Sequence, residues 1–292
     1  MTEKKYIYIF LLPILGILFL LTIYPTIYTV FMSFHRYLLT KPYLGHPFVG
    51  FENYLNAFAG VTLPFLSSLK ITFIYTFSSV AISMSLGIII ALLFTEWKIV
   101  GGKLFQSLFL LPMVLSPVVA GFFWRFMYNE AIGIISFLLT LVGLPVESIL
   151  GGNLALVAVI VVDIWQWTPF VVLVCIAGLT ALPTESLEAA LIDGAGKFQI
   201  IQYVILPMLK PVILVALLFR TIDAFRAFDS IYILTGGGPG TATLTLTLLA
   251  YKTGFVFWDM GACSAYGIMM LTIAIMFSNV FIKLLHGEGY EA

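Results

Sequence analysis

Charge is scarce in this chain. Only 10% of its 292 residues are Asp, Glu, Lys or Arg, and 14 basic residues balance 14 acidic ones. Soluble domains carry about 25% charged and roughly 45–50% apolar residues, whereas the hydrophobic share here is 61%. A water-soluble protein of this composition could not cover its own core with polar surface. Without a basic excess, a free-standing nucleic-acid module is excluded, and the apolar content excludes disorder. Cysteine and histidine are equally sparse. Cys175 and Cys263 sit far apart inside apolar runs, which leaves no disulfide framework and no CxxC metal pattern. His35, His46 and His286 fall in polar stretches without an HExxH or a paired ligand. No metal site and no Cys/His nucleophile is expected. With a mean hydropathy of +1.10, most of the chain should have lipid as its solvent.

Six apolar stretches have the roughly 20 residues of helix that a bilayer crossing needs. They are Tyr6 to Phe34, Leu69 to Phe94, Leu104 to Tyr128, Leu154 to Leu182, Pro211 to Leu234, and Ala262 to Leu285. The first follows Lys4-Lys5 but is too long for a signal-peptide core and ends without a small-residue cleavage site, so it reads as a retained helix. Six crossings place both termini on one side. That side holds Lys4, Lys5, Lys98, Lys103, Lys197, Lys210 and Lys283, against Arg36, Lys41, Lys70, Arg125 and Lys252 opposite. The excess points to cytoplasmic termini by the positive-inside rule. Tyr6, Tyr8, Trp97, Trp124 and Tyr128 lie where interfacial aromatics would.

The connection between the fourth and fifth spans is unlike the others. From Thr184 it reads TESLEAALIDGAGKFQIIQYVILPMLKP. Thr184 can cap a helix whose start carries Glu185 and Glu188, where the helix dipole favours acids. Leu187, Ala190 and Leu191 fall on one face, and Gly194 and Gly196 stop the helix. Phe198, Ile201 and Ile205 mark a second short amphipathic turn, which Pro207 should break before Pro211. Helix, glycine elbow and second helix make a rigid element suited to a groove on a soluble partner.

Glu188-Ala189-Ala190, Asp193-Gly194-Ala195, Leu206-Pro207 and Pro211 resemble the EAA motif of permease subunits in binding-protein-dependent ABC importers. Phe228-Asp229 with Ile231 to Pro239 resembles the FD…YxLTxGGP signature of carbohydrate permeases, and Ile23 to Thr26 with Phe48 to Tyr54 resembles the same group. These are the maltose and glycerol-phosphate permeases that stand first in each permease pair. The resemblance covers essentially the whole chain. It implies an all-α integral membrane protein with six transmembrane helices, of the type I importer permease fold. Residues 1–68 would hold the N-terminal helix and an external loop, residues 69–285 the transporter domain with its coupling loop at 184–211, and residues 286–292 a cytoplasmic tail. It further implies a second permease subunit, two ATP-binding cassette ATPase subunits, an extracellular or periplasmic binding protein, and residence in a prokaryotic inner or plasma membrane.

Nucleotide binding belongs elsewhere. Gly236 to Gly240 lacks the Gly-Lys-Ser/Thr of a P-loop, and Gly101-Gly102-Lys103 is followed by Leu104. ATP and Mg are expected on partner ATPase chains, with no cofactor on this one and no covalent chemistry.

Charge at membrane depth is costly and marks function. Pro211 to Arg220 is nine residues, roughly 13 Å of helix rise, or close to half of a ~30 Å hydrocarbon core. Asp163 stands equally deep from the other face. Arg220, Asp223, Arg226 and Asp229 recur every three residues and should form one polar band on a single helix, either facing substrate or neutralising each other. Asp163-Ile-Trp-Gln-Trp-Thr-Pro-Phe170 combines acceptor, amide and aromatic groups, the residue types that bind a polyol. By the resemblance, substrate contacts map onto Asp163, Gln166, Trp167, Phe170, Arg220 and Ala224, with Asp223 beside them and Met113, Ser116 and Pro117 as a further set. Coupling to the ATPase maps onto Glu188, Ala189, Ala190, Asp193, Gly194, Leu206 and Pro207. Charge at 163 and 220 argues against maltose itself as cargo. The expected function is a sugar or polyol permease working by alternating access; the rival is an ion-coupled carrier with Asp163 and Arg220 as its relay.

Overall fold

The computed structural model describes residues 11–60, 64–96, 102–143 and 149–286. Lys4, Lys5, Tyr6, Tyr8, Trp97, Lys98 and residues 287–292 of the tail lie outside the described residues. Among the described residues the architecture is helical, with two isolated β-bridges. Within the described residues, five helices are long and apolar enough to cross a membrane: α1 (Leu11–Ser33), α3 (Phe65–Glu96), α8 (Ala155–Thr180), α10 (Lys197–Phe225) and α13 (Met260–His286). Contacts divide the chain into two units, with boundaries inside α3, between residues 245 and 246, and inside α13.

The first unit takes residues 1–68 and 246–273. Its apolar α1 side chains point outward, as lipid requires. Beyond α1 the chain bridges His35 to Phe48 and Leu38 to Asp259. The helix α2 (Glu52–Ala59) is fastened back by Asn53, whose Nδ2 donates to the carbonyls of Ser33 at 2.8 Å and His35 at 3.0 Å. Arg36 pairs with Glu52 at the surface. The helix α12 (Leu246–Val256) completes the unit.

The second unit, residues 69–245 and 274–292, carries the functional candidates. Its centre is α8, against which α10 and a broken segment pack. Leu104 to Tyr128 was expected as one span, but the structure cuts it into α4 (Gly102–Phe109), α5 (Leu111–Val114) and α6 (Pro117–Met127). Pro117 causes the second of the two breaks. The residue before proline is pushed out of the helical region, and Leu115 and Ser116 are extended, with ψ of 138° and 139°. A carbonyl freed at this depth needs an internal donor. Gln166 Nε2 supplies it, donating to Leu115 O at 3.0 Å.

Prolines elsewhere break less than expected. α8 runs unbroken through Pro169. Nor does Pro207 end a helix: α10 is continuous from Lys197, because a π-turn over Ile201–Ile205 widens the backbone just before the ring. Leu206 N–H there bonds Ile201 O, five residues back. The span expected at Pro211–Leu234 instead ends at Phe225, and a separate helix α11 (Asp229–Leu234) follows a turn. No Gly or Pro marks that turn in the sequence. The four charges expected on one helix are therefore split. Arg220 and Asp223 stay on α10, Arg226 caps its end, and Asp229 opens α11.

Close approach of backbones holds the unit together, as small residues allow in lipid. A Cβ on Gly178 would stand 2.6 Å from Leu209 Cδ1, and one on Gly87 would stand 2.5 Å from Val171 Cβ. α11 lies along α6, where Gly121 faces Ile233. The glycine run 236–240 is closed by threonines: Thr243 Oγ1 donates to Gly238 O at 2.9 Å and meets Thr235 Oγ1 at 2.6 Å.

Candidate functional site

Helix α8 turns one polar edge, Asp163, Gln166 and Trp167, toward the end of α10 and the turn beyond it. A cavity of about 340 Å³ opens there, lined by Pro117, Asp163, Gln166, Trp167, Asp223, Arg226, Phe228 and Asp229 among others. A neighbouring cavity of about 390 Å³ shares Trp167, Asp223 and Arg226 with it and adds Phe170, Phe219 and Arg220. The lining alternates aromatic faces with hydrogen-bonding groups. Such surfaces suit molecules with both apolar faces and hydroxyls.

Part of this wall belongs to a buried charge network. Asp163 and Arg220 are 3% and 1% exposed and form a direct ion pair. Buried carboxylates need every acceptor site satisfied, and α3 supplies the donors. Tyr75 OH donates to Asp163 Oδ1 at 2.9 Å, and Ser79 Oγ donates to Asp163 Oδ2. Arg220 Nη2 also donates to Ser79 Oγ at 3.0 Å. On its other side, Arg220 Nη1 stands 3.5 Å from Asp223 Oδ2, and its guanidinium carbon lies 5.8 Å from the Trp167 ring centroid. Asp223 reaches out to Arg226 at 4.0 Å. The network thus links α3, α8 and α10 and ends at the cavity.

The structure brings most of the proposed substrate residues together and leaves three apart. Gln166, Trp167, Phe170, Arg220, Asp223 and Asp163 converge on the two cavities. Met113 and Ser116 sit in the broken segment and line neither, and Ala224 is buried at 1% exposure. Tyr75 and Ser79 were not singled out from the sequence. A helical signal was available: Thr72, Thr76, Ser79, Ser83, Gly87 and Ala91 repeat at helix spacing, and the side chains of Thr72, Thr76, Ser79, Ser83 and Ala91 are fully buried. A polar stripe on a lipid-facing helix could not remain lipid-facing.

The elbow between α8 and α10 is a second candidate. Helix α9 (Thr184–Ile192) ends at Asp193, with Gly194 at φ +78°. Ala195 N–H bonds Ala190 O at 3.0 Å and Gly194 N–H bonds Leu191 O at 3.1 Å, the paired bonds of a Schellman stop. Gln199 Oε1 then accepts from Gly196 N–H at 2.8 Å and starts α10. The expected cap by Thr184 is absent. Pro183 holds the cap position and Thr184 is the first helical residue. Glu188, Ala189, Asp193 and Gly194 are exposed, as are the large apolar side chains of Ile192 (86%) and Phe198 (75%). Leu206 and Pro207 lie further on, inside α10.

Residues 83–287 match the family described as the binding-protein-dependent transport system inner membrane component, and the chain belongs to it. Over 283 residues it is 37% identical to the trehalose/maltose transport system permease protein MalF of Thermococcus litoralis, covering 97% of this chain and 94% of that protein. Among solved structures it is similar to a bacterial ABC transporter involved in the import of the acidic polysaccharide alginate. That likeness has a TM-score of 0.86 at 22% identity and covers 98% of this chain and 96% of the other. A second structure, of the bacterial alginate ABC transporter in complex with an alginate pentasaccharide-bound periplasmic protein, matches at TM-score 0.82 and 23% identity. It covers 96% of this chain and 93% of that one. The fold is therefore that of ABC importer permeases, in an inner membrane protein that crosses the bilayer repeatedly. Family membership sets aside the ion-coupled carrier.

Proposed function

We propose that this chain is the transmembrane permease subunit of an ATP-driven importer for a carbohydrate or polyol, with a neutral disaccharide of the trehalose/maltose kind as the first candidate. The observation that carries the proposal is its 37% identity over nearly the whole length of a trehalose/maltose permease. The mixed aromatic and hydrogen-bonding cavity supports a sugar. Asp163 and Arg220, the charges that argued against maltose, are turned toward each other.

Substrate passes by alternating access, driven through the exposed elbow. Glu188, Ala189, Ala190, Asp193 and Gly194 form its docking face, with Leu206 and Pro207 stiffening the start of α10. Two ATPase subunits hold the ATP and Mg, a second permease completes the pathway, and an extracellular binding protein delivers the sugar. The periplasmic partner in the related alginate structure supports that last assignment. The termini are cytoplasmic, residues 1–68 add the first helix and an external segment, and residues 69–285 carry the pathway and the motor contact. The test is uptake of labelled trehalose and maltose into proteoliposomes of the purified complex. Uptake should stop when ATP, the binding protein or this subunit is left out. Uptake that persists without the binding protein would contradict the assignment.

A further inference from the structure

The cavity wall is held from behind by side chains that do not line it. We propose that Tyr75 and Ser79 of α3 are positioning residues that act through Asp163 and Arg220 to fix Asp223 and Trp167 at the substrate face. Asp163 and Arg220 are then the inner part of a positioning device, not sugar ligands. This inference rests on the sugar-permease reading and assigns roles within it.

Asp163 and Arg220 are already engaged by protein groups. A carboxylate has about four lone-pair sites, and Asp163 spends its two oxygens on Tyr75, Ser79 and Arg220. Three of its sites are thereby taken and its side chain is only 3% exposed, and a sugar that drew Asp163 away from these partners would leave a charge or hydroxyl unpaired at membrane depth. Arg220 is placed to act in three directions. One terminal nitrogen serves Asp163 and Ser79, the other stands 3.5 Å from Asp223, and the planar group lies beside Trp167. Only a rigid fork can do all three together. Asp223 is 41% exposed at the cavity, and Trp167 lines both cavities. The groups free to meet substrate are therefore oriented by groups that are not. A lysine at 220 would keep the charge opposite Asp163 but could not also reach Asp223 and cover the ring.

That difference makes the proposal testable in the assembled transporter. Arg220→Lys, Asp223→Asn and their double variant are reconstituted, with complex yield and ATP-driven uptake of the sugar carried by the unmodified complex as readouts. Arg220→Lys should assemble with normal yield and lose uptake by about tenfold or more, the scale of a small misplacement of a positioned group. The double variant should transport no worse than the poorer single one, because both changes disable one unit. Tyr75→Phe and Ser79→Ala retain the ion pair and carry the same cycle against Asp223→Asn if Arg220→Lys fails to assemble. Full uptake by Arg220→Lys, or losses that multiply in the double variants, would overturn the positioning role while leaving the function standing. A wild-type complex without ATP-driven sugar uptake would instead refute the function, and the positioning role with it.

Discussion

Substitutions at Gly194 should impair transport according to the backbone cost of the new residue, not its size. Gly194 sits at φ +78°, and a Cβ built there meets nothing within 4 Å. Steric crowding is therefore absent, and the remaining penalty is the left-handed conformation itself, about 1–2 kcal/mol for an ordinary L-residue. Asparagine tolerates that region and should cost least, alanine more, and valine most because branched residues are genuine outliers there. A loss of one to two kcal/mol lowers the population of the ordered elbow by a factor of about 5–30. Without that stop, the Ala190 and Leu191 carbonyls lose the bonds that set the angle between α9 and α10. The assay compares ATP hydrolysis and sugar uptake in proteoliposomes at equal complex yield. Uptake should fall in the order Gly, Asn, Ala, Val while membrane insertion stays normal. Uptake by Gly194→Val equal to wild type, or Asn below Val, would refute the coupling argument.

Three further outcomes follow from other contacts. Gly178→Leu forces a side chain into a gap where even a Cβ would stand 2.6 Å from Leu209 Cδ1, and it should cost about 1–3 kcal/mol and reduce the yield of folded subunit in detergent. Gln166→Leu leaves the Leu115 carbonyl without its donor, a loss of about 1–3 kcal/mol that a thermal melt of the purified complex would read. Glu188→Lys inverts an exposed charge on α9 and should cut ATP-driven uptake without changing insertion; unchanged uptake would place the motor contact elsewhere.

Periodicity and motif carried the sequence reading far because lipid imposes a simple rule on the chain. Long apolar runs must be helices, and α1, α3, α8 and α13 stand where hydropathy put them. The elbow was legible for a different reason: glycine at a positive φ and a polar interruption between apolar runs are both visible as letters. Breaks that depend on backbone detail were not. Pro117 interrupts a span while α8 runs through Pro169 and α10 passes Pro207 by way of a π-turn, and the same letter stands at all three places. The turn at residues 226–228 has no glycine or proline to announce it, so the charges of α10 and α11 were merged into one helix. Asp163 and Arg220 were readable as deep charges, but their partners Tyr75 and Ser79 lie more than 80 positions from Asp163 in sequence. Only the fold brings them together.

The most direct test of the account asks what energy drives transport. Proteoliposomes containing the complete complex, its binding protein and ATP are treated with ionophores that collapse proton and sodium gradients at constant ATP, and sugar uptake is followed. Uptake should continue at its original rate. Uptake abolished by the ionophores while ATP remains would contradict the account and return Asp163 and Arg220 to the role of an ion relay.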